Sequence, residues 1–274
     1  MACCGARRQA SAVSTEVATC PEPEVRTARH DPMLPQDALQ LLREGNRRYV
    51  EGKVQHRRHE KHLRNTLATE GQNPAAAIVA CADSRCPIEI LFDARPGDLF
   101  VLRNAGNTCT HAEGSIVGSL EYSTEHLKTS LILVLGHTKC GAIAGATKTL
   151  LANREAKNPS RKEDGGKRPS ALEVLLQGLT PVAEQASMEL PSGATADEIA
   201  AHAVKVNVFS TMDKLLEHSE ALRERVRRRE LQVHGAIYDI SNGQVDFLGQ
   251  SPNLGRSADS RAPPPPLSAR FSGA

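Results

Sequence analysis

The chain has 274 residues, enough for one sizeable α/β domain or two small ones, with 39% hydrophobic and 24% charged residues as in an ordinary soluble protein. Its 34 basic and 32 acidic side chains nearly balance, which gives no general reason to expect a nucleic-acid partner. Aromatics are only 3% with no Trp, so the core must be aliphatic, and seven irregularly spaced cysteines argue against a disulfide-stapled secreted domain.

Residues 1–33 are polar and lack hydrophobic period, so they are expected to form a flexible extension. Arg7, Arg8, Arg26 and Arg29 suggest a transit peptide, whereas Glu16, Glu22 and Glu24 argue against one. Cys3 and Cys4 are possible palmitoyl acceptors, but Ala2 stands where myristoylation needs glycine. No apolar run approaches the roughly 20 residues of a bilayer span, and no signal-peptide segment is visible. The expected location is intracellular and soluble, in the cytoplasm or inside a chloroplast or mitochondrion, and not secreted.

A domain is expected over 34–250. Ala38, Leu42, Gly45 and Tyr49 recur at helical spacing, predicting an amphipathic helical arm from near Pro35. The His- and Arg-rich piece from His56 to His62 reads as an exposed helix or connector rather than a metal tract, because it has no thiol and one acid. Three short continuous apolar runs follow: Ala75 to Cys81, Leu99 to Leu102 ahead of Arg103-Asn104, and Leu131 to Leu135 ahead of Gly136-His137. Such runs suit strands buried on both faces of a parallel sheet. Ile116, Leu120 and Leu127 predict a helix between the second and third. The fold class is therefore α/β, a mainly parallel central sheet flanked by helices.

The stretch from about 153 to 170 reads as a charged surface loop, and helical period resumes at Val204, Val208, Met212 and Leu215. Arg223 to Arg229, interleaved with Glu224 and followed by Glu230, reads as a solvated helix end. Leu231 to Ile240 predicts a strand, and Ser241-Asn242-Gly243-Gln244 a turn into a C-terminal hairpin strand over 245–248. Residues 251–274, with Pro263 to Pro266 consecutive, are expected to be a disordered tail.

The chemistry lies in where Cys and His fall. Cys81 ends the first strand, His137 ends the third, and Cys140 opens the next helix. Ligands bind outside the carboxyl ends of strands in an open parallel sheet, so these distant segments can meet there. Two thiolates and one imidazole make a tetrahedral zinc site with one open position, the arrangement of a catalytic site. A structural four-ligand site, completed by Cys86 or Cys109, is the competing reading. Asp83 and Arg85 follow Cys81 on the turn, either as a held carboxylate facing the metal opening or as a surface ion pair.

Cys81-Ala82-Asp83-Ser84-Arg85 resembles the Cys-x-Asp-x-Arg signature of the β-class carbonic anhydrases. Gly136-His137-Thr138-Lys139-Cys140-Gly141 is similar to their second metal motif, and Arg103-Asn104-Ala105-Gly106-Asn107 lies between the two as in that family. The resemblance runs from the helix near Pro35 to the hairpin ending near Leu248. It implies one zinc per chain on Cys81, His137 and Cys140, with Asp83 and Arg85 as a polar dyad. It also implies a substrate site drawing on Gln72, Phe100, Ala105, Tyr122 and Gly141. Gln72 matches a glutamine that often works across a dimer interface, so a homodimer or homotetramer is expected. Ala105 stands where many members carry Val, implying a roomier pocket. Ile78 occupies the place of a Trp that helps some members hold inhibitory bicarbonate, which makes the chain look like the open-site, plant-like type. The implied activity is reversible hydration of carbon dioxide to bicarbonate and a proton. A related hydrolase acting on carbon disulfide or carbonyl sulfide, and a non-catalytic zinc-stabilised scaffold, are the alternatives.

Overall fold

The apolar runs do form parallel strands, and the order in which they pair decides where a site can be. The computed structural model describes residues 25–55, 61–109, 114–155 and 168–254. In chain order the elements are α1 (Pro35–Val50), α2 (Lys61–Glu70), β1 (Ala76–Cys81), α3 (Ile88–Leu91), β2 (Leu99–Asn104), α4 (Ser115–Glu125), β3 (Leu131–His137), α5 (Gly141–Glu155), α6 (Ala171–Glu189), α7 (Ala196–His218), α8 (Glu220–Arg227), β4 (Gln232–Tyr238) and β5 (Val245–Gly249). The sheet order is β2-β1-β3-β4-β5. Pairings are parallel except for the final β4–β5 hairpin. Strands β1 and β3 are buried at every residue because they lie inside the sheet with helices on both faces. The edge strand β2 is only half-buried.

Side-chain alternation sends the two sets of strand residues into different cores. Ile78, Leu133 and Leu135 pack with Ala38 and Leu42 of α1 and with Ile88, Leu91 and Phe92 around α3. Ala77, Val79, Ile132 and Val134 pack with Val117 and Leu120 of α4 and with Val208, Met212 and Leu215 of α7. Each fully buried Leu or Ile contributes about 1.5–3 kcal/mol relative to exposure. Gly45 allows the close seating of α1, since a Cβ there would fall 1.9 Å from the Phe92 carbonyl oxygen. A third core joins α5, α6 and α7 through Ile143, Ala146, Leu179, Ala186, Ile199 and Ala203, and it reaches Cys81 and Cys140.

Several expectations change. Residues 25–33 are packed rather than a flexible extension: Val25 and Thr27 are buried, Ala28 N–H donates to the Glu70 carbonyl, and Asn73 Nδ2 donates to the His30 carbonyl. At the other end, Ser251 is buried and its hydroxyl donates to Asp213 of α7 at 2.6 Å, so 251–254 is not a free tail. Helix α6 was not foreseen; it opens on a capping box of Ser170 and Glu173, as α7 does on Thr195 and Glu198. The helix expected through Leu127 ends at Glu125.

The solvated reading of Arg223–Arg229 holds for Arg227 and Arg228, which pair with Glu224, but not for Arg223. Arg223 is fully buried. Its guanidinium donates to the carbonyls of Leu216 and Glu217 and to Glu220, satisfying the open carboxyl end of α7. Residues 56–60, most of the 153–170 loop, Cys3, Cys4 and Pro263 to Pro266 lie outside the described residues.

Candidate metal centre

In a 2-1-3-4-5 sheet the chain turns from one side of β1 to the other, and the crevice between the carboxyl ends of β1 and β3 is the switch point where ligands bind. Cys81 is the last residue of β1 and His137 the last of β3. Cys140 follows one turn later, immediately before α5. The candidate ligand atoms of these three residues all lie within 4.8 Å of one another, and all three residues are buried. Among the described residues no other such group exists. The spare thiols Cys86 and Cys109 are buried but do not belong to it, so the four-ligand reading finds no fourth thiol. Burial pushes the Cys109 thiol up to about 11, as befits an inert core thiol.

The donors fit a metal. His137 Nδ1 lies 3.0 Å from the Thr138 carbonyl oxygen, which can only accept, so Nδ1 carries the proton and Nε2 presents a lone pair. That Nε2 is buried with no hydrogen-bond partner, an arrangement that costs free energy unless a cation satisfies it. Proton affinities carry the same message. The hydrogen bond between the two thiols lowers Cys81 and raises Cys140, and burial raises Cys140 further. Burial alone would lower His137, but the closeness of the Cys81 and Cys86 sulfurs and their charge raise it to about 10. Three buried donors competing for protons form a site that a divalent cation neutralises. The Gly106 backbone N–H donates to Cys81 Sγ at 3.4 Å, and the Ala142 and Ile143 N–H groups at the start of α5 offset only part of the rise at Cys140.

Asp83 and Arg85 form the dyad. Arg85 grips the carboxylate twice, with Nε to Oδ1 at 2.9 Å and Nη2 to Oδ2 at 2.6 Å, while its backbone N–H adds a third bond at 2.9 Å. The Arg85 side chain holds Asp83 well below the usual carboxylate range. Arg85 Nη2 also reaches the Lys139 carbonyl at 3.1 Å, so the dyad is tied to the loop carrying Cys140. Asp83 Oδ2 stands 3.9 Å from His137 Nε2, beside the donors rather than among them.

Other members of the site were not assigned roles from sequence. Arg103 donates to the carbonyls of Cys81 at 2.9 Å and of Asp83 at 2.5 Å, clamping the turn that leaves β1. Asn104 closes the 104–108 turn by bonding both backbone groups of Thr108 at 2.8 Å. Thr138 links the metal loop to the hairpin through Asp239 and the Ile240 N–H.

The expected substrate residues divide between two places. Ala105 and Gly141 are exposed and adjoin Gly106 and Cys140. Phe100 pairs with Ala77 near the amino end of the sheet, whereas Cys81 pairs with Asn104. At about 3.3 Å per residue, Phe100 is roughly 13 Å from the end that carries the metal donors. Tyr122 packs against Phe100 with ring centroids 6.4 Å apart and is 49% exposed. Gln72 is exposed and precedes β1 altogether. A single chain therefore does not bring Gln72, Phe100 and Tyr122 to its own metal donors. Ile78 is a fully buried core residue.

The carbonic anhydrase family model matches residues 76–245. Carbonic anhydrase 2 of Mycobacterium tuberculosis is 33% identical over 221 residues, spanning 81% of this chain and 96% of its own length. A carbonic anhydrase of Mycolicibacterium smegmatis is 33% identical over 224 residues, spanning 81% and 97%. The β-carbonic anhydrase structure from Aspergillus fumigatus superposes with a TM-score of 0.58 at 27% identity, covering 81% of this chain and 95% of that one. One of the tetrameric β-carbonic anhydrases from Sordaria macrospora gives 0.56 at 28%, covering 78% and 98%. With the matched region running from the first strand to the hairpin, and with the Cys-His-Cys group at its switch point, the chain belongs to the β-class carbonic anhydrases.

Proposed function

We propose that this carbonic anhydrase catalyses the reversible hydration of carbon dioxide with one zinc ion held by Cys81, His137 and Cys140. The observation that carries the metal is the buried, unpartnered Nε2 of His137 facing two thiols within 4.8 Å. Bound there, zinc supplies a Lewis acid that makes water nucleophilic near neutral pH. Cys81 and Cys140 bring negative charge that balances the ion, and the Thr138 carbonyl keeps His137 in the ligating tautomer. Asp83, ionised and fixed by Arg85, accepts a hydrogen bond from the attacking water without taking its proton and so aims the oxygen lone pair at carbon dioxide. Ala105 and Gly141 form the near wall, with Ala105 leaving room for a small apolar substrate.

Gln72, Phe100 and Tyr122 act from a second copy of the chain. Their place at the opposite end of the sheet and the exposure of Tyr122 support a homodimer or a higher assembly built from dimers. Tetramers are known from the Sordaria macrospora relatives. Among the described residues no helix is long and apolar enough to cross a membrane, and we place the enzyme inside the cell, in the cytoplasm or an organelle.

The test is stopped-flow carbon dioxide hydration together with metal analysis. The expected result is one zinc per chain, activity lost on chelation and regained with zinc, and near-complete metal loss in Cys81→Ser, His137→Ala and Cys140→Ser. Full zinc retention in any one of these variants removes that residue from the ligand set. Zinc-loaded protein without hydration activity overturns the reading.

A further inference from the structure

The turn after β2 meets the metal centre through the Gly106 N–H, which donates to Cys81 Sγ at 3.4 Å. Asn104 closes that turn on Thr108, but its centre is strained. Gly106 has φ +79° and Asn107 φ 43°, two successive residues in the left-handed region, and the second is not glycine. Asn107 Nδ2 is moreover buried without a partner. A second set of bonds, to the carbonyls of the strained pair itself, comes from about a hundred residues away, on one face of α7. Asn207 Nδ2 donates to the Gly106 carbonyl at 2.8 Å, and Thr211 Oγ1 donates to the Asn107 carbonyl at 3.1 Å. Both side chains are 2% exposed, and positions 207 and 211 share a face by their four-residue spacing.

We propose that Asn207 and Thr211 are positioning residues for the metal centre, setting through the Gly106 N–H how strongly the Cys81 thiolate binds its metal. An N–H aimed at a thiolate withdraws charge from sulfur and fixes the lone pair that remains, so the donor arrives oriented. Without the two clamps, the peptides on either side of Asn107 lose the contacts that offset their left-handed geometry. The Gly106 N–H then swings off sulfur, and Cys81 gains rotamer freedom that the metal must remove on binding. The inference rests on the zinc reading above, but it concerns α7, which supplies no ligand.

The test uses the full chain with zinc and, in parallel, with cobalt(II) as a spectroscopic probe. The variants are Asn207→Ala, Thr211→Val, which removes only the hydroxyl, and Thr211→Ser as the conservative rescue. Ser219→Ala serves as a control for stability. Ser219 is equally buried and caps α8 by accepting from Leu222 N–H, but it is far along the chain from the turn. Asn207→Ala and Thr211→Val should weaken zinc by about 10- to 100-fold in chelator competition and shift the thiolate-to-cobalt charge-transfer band. Thr211→Ser should restore both, and Ser219→Ala should lose thermal stability while changing neither. In the unmodified chain loaded with a spin-active cadmium isotope, the Gly106 amide proton should couple to the metal through the hydrogen bond. That measurement decides the matter even if Asn207→Ala fails to fold. Wild-type loading with unchanged affinity and band in folded Thr211→Val, or no Gly106 coupling, overturns this inference alone. A wild-type chain that takes up neither zinc nor cobalt overturns the zinc reading and this inference with it.

Discussion

Asp83→Asn is the substitution that separates metal binding from catalysis. Asp83 accepts three bonds from Arg85: the backbone N–H and Nε on Oδ1, and Nη2 on Oδ2 at 2.6 Å. An amide keeps one acceptor oxygen, so the two bonds on Oδ1 survive, but an NH₂ then meets Nη2 donor to donor. The amide must rotate or withdraw, and Arg85 is left with its bond to the Lys139 carbonyl at 3.1 Å. The carboxylate that could accept the attacking water's hydrogen bond is gone. Positioned acid–base groups contribute typically about 10²- to 10⁴-fold, so turnover should fall by roughly 10²-fold or more. Zinc content should stay at one per chain, because Asp83 Oδ2 stands 3.9 Å from His137 Nε2 and the three metal donors do not depend on it. Arg85→Ala should also retain zinc and be impaired, since it frees the carboxylate to approach the metal donors. The assay is a stopped-flow pH–rate profile for wild type, Asp83→Asn and Arg85→Ala at matched zinc content. Wild-type activity should rise from neutral to mildly alkaline pH. An Asn variant as fast as wild type, or a flat wild-type profile, refutes the reasoning.

Other perturbations test the frame around the site. Arg223→Ala leaves the Leu216 and Glu217 carbonyls without their buried cation and should cost about 3–5 kcal/mol in urea unfolding; a loss within error of zero would show that water replaces it. Leu42→Ala, at a fully buried contact between α1 and the sheet, should cost about 2–5 kcal/mol by the same assay, and a smaller loss would mean that α1 is loosely docked. Burial, helped by Arg43, lowers the His234 pKa below its ordinary 6.5, so the unfolded chain binds the extra proton first. The stabilising contribution of neutral His234 is therefore present above about pH 6.5 and lost as pH falls through the lowered value; His234→Gln should flatten the wild-type fall in stability between about pH 7 and pH 5, and an unchanged slope would exclude this histidine as its source. Light scattering should give a dimer or larger species, and Tyr122→Arg should shift it toward monomer with loss of hydration activity; a fully active monomer near 29.5 kDa would defeat the shared site.

Much of the site was legible in the chain because its signals are local. Continuous apolar runs that stop at Cys81 and His137 announce buried parallel strands and their carboxyl ends, and both sit where a ligand must bind once the sheet is parallel. The spacing from Cys81 to Asp83 and Arg85 lies within one turn, so their ion pair was legible, but spacing alone left open whether it faced the donors or only solvent. Tertiary structure decided the rest, for reasons of distance and burial. Strand order 2-1-3 is what brings Cys81 beside His137, and no property of either run contains it. Arg223 sits among charged neighbours that promise solvent, yet the open end of α7 draws it inside. Asn207 and Thr211 look like ordinary polar positions in a helix, and only the packing of α7 on the turn about a hundred residues earlier turns them toward Gly106 and Asn107. Gln72, Phe100 and Tyr122 show the same limit from the other side. Their family positions were readable, but the fold puts them at the far end of the sheet, because a strand carries its two ends apart by its own length.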